Sequence, residues 1–207
     1  MLDFLRGQKA SLSALCGGLE LEAELFHSAP VEIDVTCFCL DSDGRLSDER
    51  YFVFYNQTQT PEGAVRLEAG SASGAYRFHL RLDQLPAHIH KLSFTASIDG
   101  TRTMQELKKG YVRLLAGGEE AGRFSYDGSQ FSAERALVVC EIYRKGTDWR
   151  FNAVGRGFNG GLKALVESFG GTVASPAPAN PAGSAGRRPP PPPAPGRPCT
   201  APPSGTP

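Results

Sequence analysis

The sequence predicts an all-β protein: a two-sheet β-sandwich of about ten strands, with a short C-terminal helix and a disordered tail. Three observations predict it. Apolar and polar residues alternate with a period of two, as in Tyr76, Phe78, Leu80 and Leu82 against Arg77, His79 and Arg81, which suits a sheet with one wet face. Short runs rich in β-branched and aromatic residues are divided by turn signals at regular spacing. Proline is concentrated at one end, where 13 of the 16 prolines lie between Pro176 and Pro207.

In chain order, Leu19, Leu21, Ala23 and Leu25 alternate with Glu20, Glu22 and Glu24, the first strand pattern. Further strands are expected at Val31–Leu40, Tyr51–Tyr55, Tyr76–Leu82, Leu92–Ile98, Tyr111–Leu115, Ala136–Tyr143 and Trp149–Val154. Asp41-Ser42-Asp43-Gly44, Pro61-Glu62-Gly63, Asp99-Gly100, Asp127-Gly128 and Lys145-Gly146 supply the turns between them. Strands at this spacing pack as two sheets face to face. Thr103–Lys109 has room for a turn or two of helix. Gly160–Phe169 carries Leu162, Leu165, Val166 and Phe169 at helical spacing, closed by Gly170-Gly171.

Residues 1–173 therefore form one domain, and 174–207 a Pro/Ala-rich tail. The tail contains no aromatic residue and cannot bury enough apolar surface to offset its ordering entropy, so disorder is expected there. Its run Pro189–Pro193 favours polyproline II and makes the tail a candidate to dock a partner.

The 207-residue chain is formally neutral, with 22 basic and 22 acidic residues. The tail holds three arginines and no acid, which leaves 19 basic and 22 acidic groups in the domain. Such a body lacks the dense basic face that phosphate contacts need, and no nucleic-acid partner is expected. No stretch approaches the ~18 apolar residues of a membrane span, and the first residues lack the apolar core of a signal peptide. Five irregularly spaced cysteines read as reduced thiols, and a cytoplasmic location is expected.

Gly155-Arg156-Gly157-Phe158-Asn159-Gly160 matches the dinucleotide-binding fingerprint after a strand and before a helix. The chain enters the proline-rich tail within five residues of that helix, so the second parallel strand of a βαβ unit has no place to form. The glycines are expected to serve packing. Asp41-Ser42-Asp43-Gly44 resembles the start of a calcium loop, but the twelfth position is Phe52 and the flanks are strands, so a hairpin turn is the better reading. Cys37 and Cys39, with His88 and His90, have the residue types of a zinc site without its curled spacing, and buried thiols in a sheet are expected. Gly70-Ser71-Ala72-Ser73-Gly74 places alanine where a nucleophile elbow needs serine, and no reaction is encoded in a recognisable motif.

Several segments in order carry a family resemblance. They are Gly7-Gln8-Lys9 with Leu12, Val31-Glu32-Ile33-Asp34-Val35, Leu40-Asp41 with Gly44, Tyr51-Phe52-Val53-Phe54-Tyr55-Asn56-Gln57, Pro61-Glu62-Gly63, Glu141-Ile142-Tyr143-Arg144, and Trp149–Gly155 with Gly157–Leu162. Together they resemble the TerD family of bacterial tellurium-resistance and stress proteins, most closely its TerA-like branch. The resemblance implies a two-sheet sandwich acting as a cytoplasmic, non-enzymatic module of tellurite and oxyanion stress responses. It also implies other Ter-type stress proteins as partners, without membrane insertion. Many members bind calcium through an aspartate-rich strand and a later acidic loop. Here Asp34 matches the first strand aspartate and Thr36 replaces the second. The later loop keeps Glu68 at its start and has Arg77 where acids belong. Asp34, Asp41 and Glu68 remain as the calcium candidates, a set expected to bind weakly because ligand number and charge set affinity. No cofactor is otherwise expected. The alternatives are a weak calcium-dependent sensor and an unrecognised enzyme.

Overall fold

The computed structural model describes residues 1–68 and 74–171. The expected tail, its boundary at 173/174 and the tip of the loop after Glu68 lie outside the described residues. The strands are β1 (Leu2–Phe4), β2 (Lys9–Ser11), β3 (Glu20–Ser28), β4 (Asp34–Leu40), β5 (Phe52–Val53) and β6 (Val65–Glu68). They continue as β7 (Ala75–Arg81), β8 (Lys91–Ser97), β9 (Lys109–Ala116), β10 (Glu119–Tyr126), β11 (Ala136–Lys145) and β12 (Asp148–Phe158). Helix α1 spans Leu12–Cys16 and helix α2 spans Gly161–Ser168. One sheet has the order β1-β10-β9-β3-β7-β6 and the other β2-β12-β11-β8-β4-β5. Pairing is antiparallel throughout, except that β1 runs parallel to β10.

The alternation seen in the sequence is the alternation of the sheets. Leu21, Ala23 and Leu25 of β3 point into the core, while Glu22 and Phe26 on the opposite face are only half-buried. Phe78 of β7 and Phe94 of β8 meet edge to face across the two sheets, 5.2 Å between ring centres, at the middle of the main core. Strand β4 is buried on both faces. Val35, Cys37 and Cys39 face the other sheet, whereas Phe38 and Leu40 face outward beneath α2, where Leu165 and Phe169 cover them. That is why Cys37–Leu40 is a continuous apolar run instead of an alternating one.

The N-terminal segment ties the two sheets together. β1 pairs in one sheet and β2 in the other, and Phe4 at the end of β1 packs on Phe151 at 4.7 Å. Gly122 makes room for that ring, since a Cβ there would lie 2.7 Å from it.

The fingerprint glycines are structural. β12 continues through the motif to Phe158, past the Val154 end expected from sequence. A Cβ on Gly157 would lie 2.2 Å from the Glu134 side chain, and Gly155 has φ of +60° beside Arg6 and Phe124. The glycines let the 132–135 segment and the N-terminal strap close on this strand.

Candidate functional site

The outer face of the β1–β6 sheet carries a continuous ladder of charge. Glu24 of β3 stands directly between Arg77 of β7 and Arg113 of β9 in the strand register. Its carboxylate accepts from Arg77 at 2.9 Å and from Arg113 Nε at 2.7 Å, and its side chain is only 4% exposed. Burial pushes this carboxyl up, but the Arg113 and Arg77 guanidiniums outweigh burial and hold it below the usual carboxylate range. Arg113 and Arg123 are themselves directly opposite, a repulsive cross-strand pair. Glu120 bridges them, accepting from Arg123 at 2.8 and 2.6 Å and from Arg113 at 3.4 Å. At the other end, His79 has Glu22 on Nδ1 at 3.4 Å and Glu68 on Nε2 at 3.0 Å.

This face holds an open cleft of about 880 Å³, lined among others by Glu22, Arg66, Glu68, His79 and Arg81. Among the described residues, its lining contains no serine, threonine, cysteine or lysine. Because the two carboxylates cap opposite nitrogens of His79, a single metal ion cannot take the imidazole and both acids together. Glu24→Gln keeps the shape and removes the charge that holds two arginines. With those arginines about one-third exposed, an expected loss of ~1–2 kcal/mol in thermal denaturation applies, shrinking in 1 M salt.

The three calcium candidates occupy three separate places. Asp34 and Asp41 flank β4 at its two ends, roughly 20 Å apart at ~3.3 Å per residue. Asp41 already accepts the backbone N–H groups of Asp43 (3.0 Å) and Arg45 (2.9 Å), closing the Asp41–Arg45 turn with Gly44 at φ +75°. Glu68 ends β6 in the opposite sheet, held by His79, which keeps its carboxyl below the usual range. Thr36, standing where the family places its second strand aspartate, is buried with its hydroxyl on Thr95 at 2.5 Å.

Asp34 does have acidic company that sequence reasoning missed. It pairs with Ser97 at the end of the β4–β8 ladder, and Glu32 and Asp99, each two residues beyond that pair, lie near enough for their charges to act on it. Burial, then Asp99, then Glu32 push the Asp34 carboxyl up. The signal was available as the Asp99-Gly100 turn, but only strand pairing shows what faces it. Among the described residues, no group of three or more His, Cys, Asp or Glu side chains is arranged to hold a metal ion. The residues present therefore do not fit a tight calcium site.

Cys37, Cys39 and Cys140 are buried in the main core, and burial pushes the Cys37 and Cys140 thiols well up, away from reactivity. His88 is exposed and stands edge-on to Tyr51, so the imagined zinc pairs are not brought together. A second groove, of about 520 Å³, lies where β5 meets α2 on the outer face of the other sheet. Phe38, Phe52, Phe54 and Tyr55 form an aromatic ladder there, with successive ring centres at 4.4, 4.7 and 5.3 Å. Leu162 and Val166 form the helix side of the groove, Glu49 lies in its wall, and Tyr55 is 66% exposed.

The two-sheet sandwich, with a charge ladder on one face and an aromatic groove on the other, is a β-sandwich module. The family model described as the TerD domain matches residues 3–169, and the chain belongs to that family. It is 35% identical over 132 residues to tellurium resistance protein TerA of Alcaligenes sp., covering 62% of this chain and 38% of that protein. It is 28% identical over 187 residues to general stress protein 16U of Bacillus subtilis, covering 82% and 97%. Among solved structures, a homologue of the telluride resistance protein TerD from Streptomyces coelicolor superposes with a TM-score of 0.57 at 19% identity, over 75% of this chain and 99% of that one. That likeness bears out the sandwich. No helix among the described residues is long and apolar enough to cross a membrane.

Proposed function

We propose that this TerD-family stress-response chain works without catalysis, as a cytoplasmic binding component of a Ter-type assembly whose partners are other Ter-type proteins. The observation that supports this reading is the contrast between its two outer faces. The charged groups of the ladder are engaged with one another, while the aromatic groove leaves Tyr55 open to a partner. Exposed, rigid aromatic rings beside an apolar pocket are the side chains that anchor protein interfaces. The family membership and the relatives' names support the tellurite and stress setting.

The test is survival on tellurite of a strain lacking this gene, complemented with the full chain or with a Phe54→Ser, Tyr55→Ser double variant. Wild-type rescue with a well-folded but inactive double variant supports the reading. Failure of the wild type to rescue removes the tellurite role, and full rescue by the variant removes the groove from it. A second reading, a weak calcium-dependent sensor, is favoured by the Glu32, Asp34 and Asp99 carboxylates around the start of β4.

A further inference from the structure

His27 of β3 and Tyr126 of β10 both stand opposite Gly110 of β9. The glycine has no side chain between them, and the His27 Nε2 and Tyr126 hydroxyl meet across it at 2.6 Å. A Cβ on Gly110 would lie 2.6 Å from the Tyr126 ring, so only glycine permits the contact. Part of the His27 residue reaches the surface, yet its Nδ1 is buried and meets no partner.

Above this pair sits a cap made of two 3₁₀ turns, Met104–Glu106 and Gly128–Gln130. The Lys108 N–H donates to the Ser28 carbonyl, beside His27, at 2.8 Å. The Gly128 N–H donates to the Leu107 carbonyl at 2.7 Å, and Phe131 stands edge-on to Tyr126. We propose that the His27–Tyr126 pair is an acid-sensitive latch, holding this cap closed at neutral pH and releasing it on acidification.

The chemistry follows from the orphan nitrogen. In either neutral tautomer the ring satisfies one nitrogen at Tyr126. Doubly protonated, the ring carries a charge and an Nδ1–H with nothing to accept it. The groups facing the ring offer no relief. β10 presents the Tyr126 hydroxyl, with the Cys140 thiol of β11 behind it, and β9 presents only the Gly110 backbone. On the cap, Arg102 and Glu106 pair with each other, and Lys109 lies over the Tyr111 ring on the outer face.

Burial holds the closed-state imidazole down at about 4, against an ordinary 6.5 once the ring reaches water. A base whose pKa is depressed in the closed state favours closure above 6.5 and loses that preference as pH falls toward 4. By linkage, the open fraction rises roughly 20-fold between pH 7 and pH 5.

Amide hydrogen exchange of the full chain at pH 7 and pH 5, corrected for intrinsic rates, reads this directly. The expected result is a loss of protection of roughly that size at Leu107, Gly128 and Phe131, absent in His27→Gln, with β8 and β11 amides unchanged in both. The same loss in wild type and variant overturns the latch. If the variant does not fold, the wild type alone decides by NMR. A His27 ring that titrates well below 6.5 while the cap amides loosen supports it, and a ring that titrates near 6.5 in the intact fold overturns it.

Discussion

Trp149→Ala is expected to lower stability by ~3–5 kcal/mol, the range for emptying the seat of a large aromatic side chain. Trp149 is 4% exposed on the inner face of β12, in the same row of alternation as Phe151 and Ala153. Its neighbour in the register is Arg144, whose guanidinium lies 4.8 Å from the ring centre and donates to the Leu85 carbonyl. Truncation would empty the seat and leave that guanidinium without its π-face. For a domain of this size the thermal midpoint should fall by roughly 10 °C. Trp149→Phe, which refills most of the space, should recover most of it. A midpoint unchanged in the alanine variant would put the ring on the surface and contradict the packing described.

The second large effect is expected at Gly128→Ala. A Cβ there would lie 2.1 Å from the Gln105 carbonyl oxygen and 2.7 Å from that of Leu107. Both are backbone atoms that cannot rotate away, and the Gly128 N–H is bonded to the second. The methyl must push the two 3₁₀ turns apart, at the upper end of the overpacking range, ~3 kcal/mol. Urea denaturation measures it. Gly110→Ala is the useful comparison, because the ring it meets can shift and the backbone at Gly128 cannot. A neutral Gly128→Ala would mean that the two turns are not in contact.

Most of the sandwich was legible because its strands are half-buried and alternate. β3 and β7 are long enough for the period of two to stand out, and β4, β8 and β11 for runs rich in apolar, β-branched and aromatic residues to do so. β1 and β2 were not, since three residues carry no period. β10 escaped for a different reason: Glu119, Glu120, Gly122, Arg123 and Ser125 dilute its apolar residues, and a register shift between Glu120 and Gly122 breaks the alternation. Val65–Glu68 alternates cleanly but is four residues long, and it is a strand because β7 supplies its partner.

The candidate site was less legible. Asp34, Asp41 and Glu68 are near enough in sequence to be grouped, but two of them lie at opposite ends of one strand and the third in another sheet. The contacts that organise the charged face join residues far apart in the chain, such as Glu24 with Arg77 and Arg113. Nothing local marks Glu24 as the nearly buried member of its Glu20, Glu22, Glu24 series. That distinction comes from its two cross-strand arginines.

We propose that this chain's TerD domain builds no tight calcium site. Asp34, Asp41 and Glu68 stand apart, Thr36 is sealed by Thr95, and Arg77 is committed to the ladder. Isothermal titration of calcium into the chelator-treated full chain is the direct measurement. The expected result is a dissociation constant of ~10⁻⁴ M or weaker. At 1 mM calcium that corresponds to ~1.4 kcal/mol of stabilisation at most, against ~4 kcal/mol for a 1 µM site. Micromolar binding near one ion per chain, with a clear rise in the thermal midpoint, would contradict the claim.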